Sequence, residues 1–170
     1  ISSSAHIRIF GEFMDGANDP GARFTAITQI GTELAVLIYF RKDIAAILRS
    51  WFGQTVQRKE LVGEAKSQAR MGWLIVIGTI PIVVLGYLGS DIIESNLRSL
   101  WLIATTLIVF GVILGLADTY GKRERTLDQL SNRHGILYGV AQALALMPGV
   151  SRSGATIAMG RFLGYKREAA

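Results

Sequence analysis

Cysteine is absent from this sequence of 170 residues, and histidine occurs only twice, as His6 and His134. The lack of cysteine excludes disulfide bonds and thiolate metal sites. The two histidines do not form a His-x-x-x-His pair, which argues against an all-protein zinc site. Acidic residues are also few, with 13 against 18 lysines and arginines, so that the formal net charge is +5.

Apolar sequence is abundant: 50% of the residues are hydrophobic, and the mean hydropathy is +0.36. Three apolar runs, 24–40, 71–88 and 100–117, each approach the roughly 20 residues that cross a hydrocarbon core of about 30 Å. The last two runs contain no charged residue. We therefore predict an all-α, polytopic integral membrane protein with three spanning helices. The alternative is a soluble bundle whose core helices are unusually apolar.

The connections between these runs differ in charge. Residues 41–70 carry seven lysines and arginines against three acids, and 118–134 carry four basic residues, whereas 89–99 carry one arginine and two acids. The positive-inside rule places the first two connections, interpreted as loops, in the cytoplasm and the third outside. Since the basic residues lie where a membrane protein needs them and lack interleaved aromatics, we expect no nucleic-acid partner.

Residues 135–147 are apolar but too short to span a membrane, and Pro148 and Gly149 interrupt them before a helical pattern resumes. Both flanks are basic, so we predict that 135–165 is a re-entrant segment that enters from the cytoplasm, turns and leaves on the same side. Non-helical backbone at membrane depth is tolerated only where it is buried in protein or lines a wet cavity. The turn is therefore a candidate site.

The start of the chain has a similar pattern, because ISSSA at 1–5 aligns with VSRSG at 150–154. We interpret 1–10 as the remainder of a first re-entrant segment. The two segments would form an inverted repeat whose tips meet near the midplane, so that His6 faces the loop of Arg152. The single transmembrane domain, 1–170, is expected to be an internal piece of a longer protein.

The stretch PGVSRSGAT at 148–156 places one arginine among three hydroxyl side chains. A guanidinium binds two phosphate oxygens, and hydroxyls and free N–H groups at a new helix N-terminus add donors. The spacing resembles a P-loop, but Ala155 replaces the lysine and no strand precedes it, which disfavours a nucleotide triphosphatase. Ser3 and His6 could supply a nucleophile and its base, so the pattern favours phosphoryl transfer on a membrane-embedded substrate.

Three further polar residues lie in or next to the apolar segments. Glu33 interrupts the first apolar run, and we expect it to pair with a basic group such as Arg23 or to face a cavity. Gln142 is a candidate cavity residue. His134 follows charged sequence and is expected at the surface.

At the two serine-rich stretches the sequence resembles the bacterial undecaprenyl-diphosphate phosphatase family, which is associated with bacitracin resistance. PGVSRSGAT matches the PG-x-SRSG-x-T signature of that family at every fixed position, and ISSSAHI at 1–7 matches the end of its other signature. The resemblance covers essentially the whole chain. It implies that undecaprenyl diphosphate is hydrolysed to the monophosphate, which recycles the lipid carrier for cell-wall synthesis at the bacterial inner membrane.

The resemblance also implies roles for individual residues. Ser3, His6 and Arg152 take catalytic positions, and the substrate-binding positions are Ser2, Ser151, Ser153, Gly154 and Thr156. A divalent cation, Mg²⁺ or Ca²⁺, is expected, with ligands mostly outside this chain, so no metal ligand is assigned within it.

The expected partners are a polyprenyl diphosphate and membrane lipids, with a homodimer as one assembly to consider. The predicted topology opens the active site to the external side. A transporter or flippase for a phosphorylated lipid is the alternative function, since it would use Arg152 without needing Ser3 or His6.

Overall fold

The computed structural model describes residues 2–13, 21–89, 93 and 99–170. Within these ranges the chain forms seven α-helices and no β-strand, which confirms the all-α prediction. The helices are α1 (Ser3–Glu12), α2 (Gly21–Tyr39), α3 (Arg41–Thr55), α4 (Gly63–Leu88), α5 (Leu100–Tyr120), α6 (Asn132–Ala143) and α7 (Arg152–Phe162). Short 3₁₀ turns occupy Leu127–Gln129 and Leu144–Leu146.

Helices α4 and α5 are long and apolar enough to cross a membrane. At 1.5 Å per residue their 26 and 21 residues extend about 39 Å and about 32 Å. Only 11% and 17% of their most apolar windows are buried, whereas a core helix of a soluble bundle is mostly buried. This exposure argues against the soluble alternative. The apolar part of α2, Phe24–Tyr39, is shorter, and its crossing of the membrane stays a prediction.

The interpretation of 41–70 as a loop is wrong. Helix α3 begins directly after α2, and α4 begins at Gly63, eight residues before the predicted span. The charged residues that suggested a loop are divided among α3, the short connection after it and the first turns of α4, and α3 packs on α4. Trp51 of α3 lies against Gly72, and its ring meets that of Trp73 edge to face with centroids 5.6 Å apart. The basic residues therefore flank a packed helix pair.

Helices α4 and α6 cross closely because both carry glycine at the contact. A methyl group on Gly139 would lie 2.7 Å from the Cα atom and the carbonyl oxygen of Gly78. One on Gly135 would lie 2.8 Å from a methyl carbon of Leu74. Small residues let membrane helices approach at backbone distance. This contact positions the segment that carries the PGVSRSGAT stretch.

The helical break predicted within 135–165 is present. Helix α6 gives way to the 3₁₀ turn, a non-helical tip follows at 147–151, and α7 then packs against both α6 and α5.

At the other end of α7, Arg161 is only 1% exposed. Its guanidinium donates to the Asp118 carboxylate of α5 at 3.1 Å and to the Tyr165 carbonyl oxygen at 2.7 Å. Asp118 also pairs with Arg167. Helix α7 is therefore anchored to α5.

The expectation that His134 is a surface residue is wrong, because the side chain is half-buried in a hydrogen-bonded chain. Its Nε2 lies 3.3 Å from Nη1 of Arg125, and its Nδ1 lies 2.8 Å from the hydroxyl of Tyr165. A guanidinium only donates, so Nε2 accepts and Nδ1 carries the proton. Tyr165 then donates to the Gln129 carbonyl oxygen at 3.3 Å. The sequence pattern around His134 does not indicate this burial, because the hydrogen-bond partner Tyr165 is distant in sequence.

Candidate active site

The two serine-rich stretches each begin a helix and share one contact between hydroxyl groups. Ser2 is the N-cap residue of α1, and Ser151 is the N-cap residue of α7. In each stretch the N-cap hydroxyl lies close to the hydroxyl two residues later, at 3.2 Å for Ser2 and Ser4 and 3.1 Å for Ser151 and Ser153. Ser3 and Arg152 are therefore equivalent positions, each the first residue of a helix between two serines. The Ser151 hydroxyl also accepts a cap hydrogen bond, whereas the Ser2 hydroxyl does not. The inverted repeat stays a prediction, and Ile1 lies outside the described residues.

Both stretches line one cavity of about 430 Å³. Helix α2 forms a further wall, and the end of α6 closes another side. The lining residues are Ser2, Ser3, Ser4, Gln29, Thr32, Glu33, Val36, Gln142, Ala145, Val150, Ser151, Arg152, Ser153 and Thr156. The structure thus brings together most of the predicted site residues, and Gln142 faces the cavity as expected.

Arg152 and Glu33 meet across this cavity. Nη1 of Arg152 lies 3.4 Å from Oε1 of Glu33, and the two side chains are 55% and 58% exposed. Glu33 therefore both faces the cavity and pairs with a basic group. That group is Arg152, whereas the side chain of Arg23 lies outside the described residues. Apart from this contact, the guanidinium makes no hydrogen bond to any residue that the structure describes.

The N-terminus of α7 already uses some of its polar groups. The hydroxyl oxygen of Ser151 accepts from the Gly154 amide at 3.1 Å, and the Thr156 hydroxyl donates to the Arg152 carbonyl oxygen at 2.9 Å. Gly154 is absent from the described lining of the cavity. Ser153, Arg152 and the first amides of α7 are consequently better placed to donate to an anion than Gly154 or Thr156.

Helix α2 contacts both stretches through one polar face. Nε2 of Gln29 lies 3.5 Å from the hydroxyl oxygen of Ser3, and Glu33, one turn later, meets Arg152. Gln29 and Thr32 were missed by the sequence analysis. The available signal was the spacing of Gln29, Thr32 and Glu33, which places three polar residues on one face of an otherwise apolar helix.

His6 lies one turn further along α1. Its Nδ1 is 2.7 Å from the Ser2 carbonyl oxygen, and because a carbonyl only accepts, Nδ1 carries the proton and Nε2 is the basic nitrogen. His6 is exposed and is not among the described cavity-lining residues. No hydrogen bond joins it to Ser3 in the described part of the chain. Ser3 and Arg152 therefore line one cavity, whereas His6 is not among its described lining residues. The catalytic role of His6 stays a prediction.

The described residues do not form a metal centre by themselves. They contain no group of three or more His, Cys, Asp or Glu side chains able to hold a metal ion. Glu33 is the acidic residue of the described lining, and its carboxylate faces a guanidinium.

Comparison with known proteins identifies the family. The family model described as bacitracin resistance protein BacA matches residues 1–170. Undecaprenyl-diphosphatase of Paenarthrobacter aurescens is 59% identical over all 170 residues, and undecaprenyl-diphosphatase 2 of Agrobacterium fabrum is 56% identical over the same length. The chain spans 60% of the length of each of these two relatives. This helical membrane protein belongs to the bacitracin resistance protein BacA family.

Proposed function

We propose that the protein hydrolyses undecaprenyl diphosphate to undecaprenyl phosphate and inorganic phosphate, and so recycles a lipid carrier for cell-wall synthesis. The observation that carries this proposal is the single cavity lined by both Ser3 and Arg152. A hydroxyl can act as a nucleophile, and a guanidinium can stabilise the charge that develops on a transferring phosphoryl group. The printed names of the relatives support the choice of substrate.

Arg152 would hold the terminal phosphate. Its planar guanidinium can donate two parallel hydrogen bonds to phosphate oxygens, and the N-terminus of α7 directs N–H groups and a partial positive charge to the same place. The hydroxyls of Ser2 and Ser153 line the same cavity and add donors. Glu33 competes for the guanidinium, and a phosphate with its greater charge and matching geometry would displace it.

The reaction breaks the bond between the terminal phosphorus and the bridging oxygen. The attacking atom is either Oγ of Ser3 or a water oxygen that Ser3 orients, and the bridging oxygen leaves with its electron pair on the lipid monophosphate. His6, through Nε2, would take the proton of the nucleophile or protonate the leaving oxygen. If Ser3 attacks, water then hydrolyses the phosphoserine and releases phosphate.

The protein is further proposed to lie in a membrane with a defined topology. The charge of the connections favours a multi-pass protein of the bacterial inner membrane with 41–70 in the cytoplasm. The two serine-rich stretches would then enter from opposite faces as an inverted repeat, and the cavity would open to the external side. Polyprenyl diphosphate and membrane lipids are the proposed partners, with a homodimer to be tested and no role for nucleic acid. A divalent cation would need ligands beyond those described.

The test is phosphate release from a long-chain prenyl diphosphate by the full-length protein that carries this chain, in detergent with Mg²⁺ or Ca²⁺. We expect Ser3→Ala and His6→Ala each to lower kcat by about 100-fold or more, as for loss of a nucleophile or general base. Arg152→Lys should lose roughly tenfold or more in kcat/KM, since an ammonium cannot reproduce the bidentate contact. Ser50→Ala, whose hydroxyl pairs with Gln68 away from the cavity, is the control.

Two results would contradict the proposal. Undiminished release by a protein lacking both Ser3 and His6 would reject their catalytic roles. A wild-type protein that releases no phosphate but moves a labelled phospholipid between leaflets would instead support the transporter alternative.

A further inference from the structure

The tip between α6 and α7 is a tight turn that requires a positive φ at Gly149. The Val150 amide donates to the Met147 carbonyl oxygen at 3.1 Å, with Pro148 and Gly149 as the two central residues. Gly149 has a φ of +97°, and proline followed by a residue of positive φ is the pattern of a type II turn. The hydrogen bond of the turn uses the Met147 carbonyl. The Pro148 carbonyl therefore needs a donor from outside the turn.

Thr106 of α5 provides that donor. Its hydroxyl oxygen lies 2.8 Å from the Pro148 carbonyl oxygen, and the side chain is only 6% exposed. The same hydroxyl lies 3.0 Å from the carbonyl oxygens of Leu102 and Ile103, where a threonine in a helix commonly donates. The contact with Pro148 is the shortest of the three. The Thr106 hydroxyl of the apolar helix α5 thus forms a hydrogen bond to the turn between α6 and α7.

Gly149 fits against the same threonine. A methyl group added there would overlap the hydroxyl oxygen of Thr106 and lie 2.9 Å from the Ile103 carbonyl oxygen. The turn therefore rests on α5 with no space for a side chain. Arg152 follows only three residues later, so any rotation of this turn moves the first residues of α7.

We propose that Thr106 is a positioning residue, which holds the 147–150 turn in one conformation and thereby aims Arg152 into the cavity. A flip of the central peptide would rotate the Pro148 carbonyl and convert the turn to type I. The hydrogen bond from Thr106 favours the observed orientation, because a partly buried carbonyl that loses its donor is destabilised. The inference rests on the proposed phosphatase activity for its kinetic consequence only.

The experiment compares Thr106→Val with Thr106→Ser and Thr105→Val in the full-length protein. Valine keeps the shape of threonine and removes the hydroxyl, whereas serine keeps the hydroxyl. Thr105 makes the matched control, since its hydroxyl donates within α5 to the Trp101 carbonyl and the side chain is exposed. The readouts are kcat and KM for phosphate release, and hydrogen–deuterium exchange of peptides covering 147–156.

We expect Thr106→Val to lower kcat/KM by roughly tenfold, the effect of about 1.4 kcal/mol, and to speed exchange at the Val150 amide. Thr106→Ser should recover most of both, and Thr105→Val should resemble wild type. The inference is overturned if Thr106→Val matches Thr105→Val in exchange, or if serine fails to rescue. Exchange needs no turnover, so a protein without phosphatase activity would sink the proposed function and still report on Thr106.

Discussion

Glu33 is a carboxylate within an apolar helix, and such residues are costly unless they are paired or face water. Glu33 meets both conditions, because it lines the cavity and its carboxylate lies 3.4 Å from the guanidinium of Arg152. Since both side chains are more than half exposed, the pair is worth no more than about 1 kcal/mol. Glu33 is therefore a weak counter-ion that a phosphate can displace.

Replacing Glu33 tests this role. Glu33→Gln removes the charge that competes for Arg152 and keeps the side-chain size, so KM for the lipid diphosphate should fall by about two- to fivefold, the equivalent of up to about 1 kcal/mol. We expect kcat to change little in the same phosphate-release measurements.

The matched control is Glu64→Gln, because Glu64 accepts from Gln68 on α4 away from the cavity. A drop in kcat of tenfold or more for Glu33→Gln would show instead that this carboxylate takes part in the chemistry.

At the scale of elements, the α6–α7 segment is fixed at both of its ends. Thr106 holds its tip, and Asp118 on the same helix α5 binds Arg161 near the far end of α7. On its other side α6 meets α4 at the glycine contact. A segment clamped between two long helices can present Arg152 with little reorganisation, which is how preorganised sites stabilise developing charge.

The network around His134, at the beginning of α6, makes this segment sensitive to pH. Burial, with Coulombic repulsion from Arg125 and Arg133, holds the pKa of His134 below its ordinary value of 6.5. Above 6.5 neither state binds the proton, and the network contributes fully. Below pH 6.5, His134 binds a proton in the unfolded chain but stays neutral in the native protein. Stability is therefore lost as the pH falls from 6.5 towards the lower native pKa.

We accordingly expect the Tm of the protein in detergent to be lower at pH 5.5 than at pH 7.5, and His134→Gln to reduce that difference. His6→Gln is the control, because His6 is the other histidine of these 170 residues. An equal decrease in wild type and His134→Gln would place the sensitivity elsewhere.

Sequence patterns predicted the elements better than the contacts between them. The runs 71–88 and 100–117 and the break at Pro148 were predictable, because length, apolar content and proline are local signals. Helix α3 was missed because charge obscured its apolar face. The contacts of Glu33 with Arg152 and of Thr106 with Pro148 depend on which helix faces meet, and no single-sequence pattern reports this.

At the scale of the whole molecule, the cavity lies where separate parts of the chain converge. Helix α1 contacts α2 and α5, while α7 packs on α5 and α6. Helix α5 is therefore the shared support of both serine-rich stretches. The two stretches enter the bilayer from opposite faces only if an odd number of crossings separates them, and the three predicted crossings by α2, α4 and α5 would meet this condition.

Labelling of single cysteines tests that topology, and these 170 residues contain no cysteine of their own. Lys59→Cys lies before α4, and Leu88→Cys lies at its end, where the native side chain is 74% exposed. The 26 residues of α4 extend about 39 Å, so the two positions should lie on opposite sides of a core of about 30 Å. An impermeant maleimide should label Leu88→Cys in intact cells, and Lys59→Cys only after permeabilisation, because the excess of basic residues over 41–70 favours the cytoplasm. Labelling of both positions in intact cells would mean that α4 does not cross, and the opposed entry of the two serine-rich stretches would then fail.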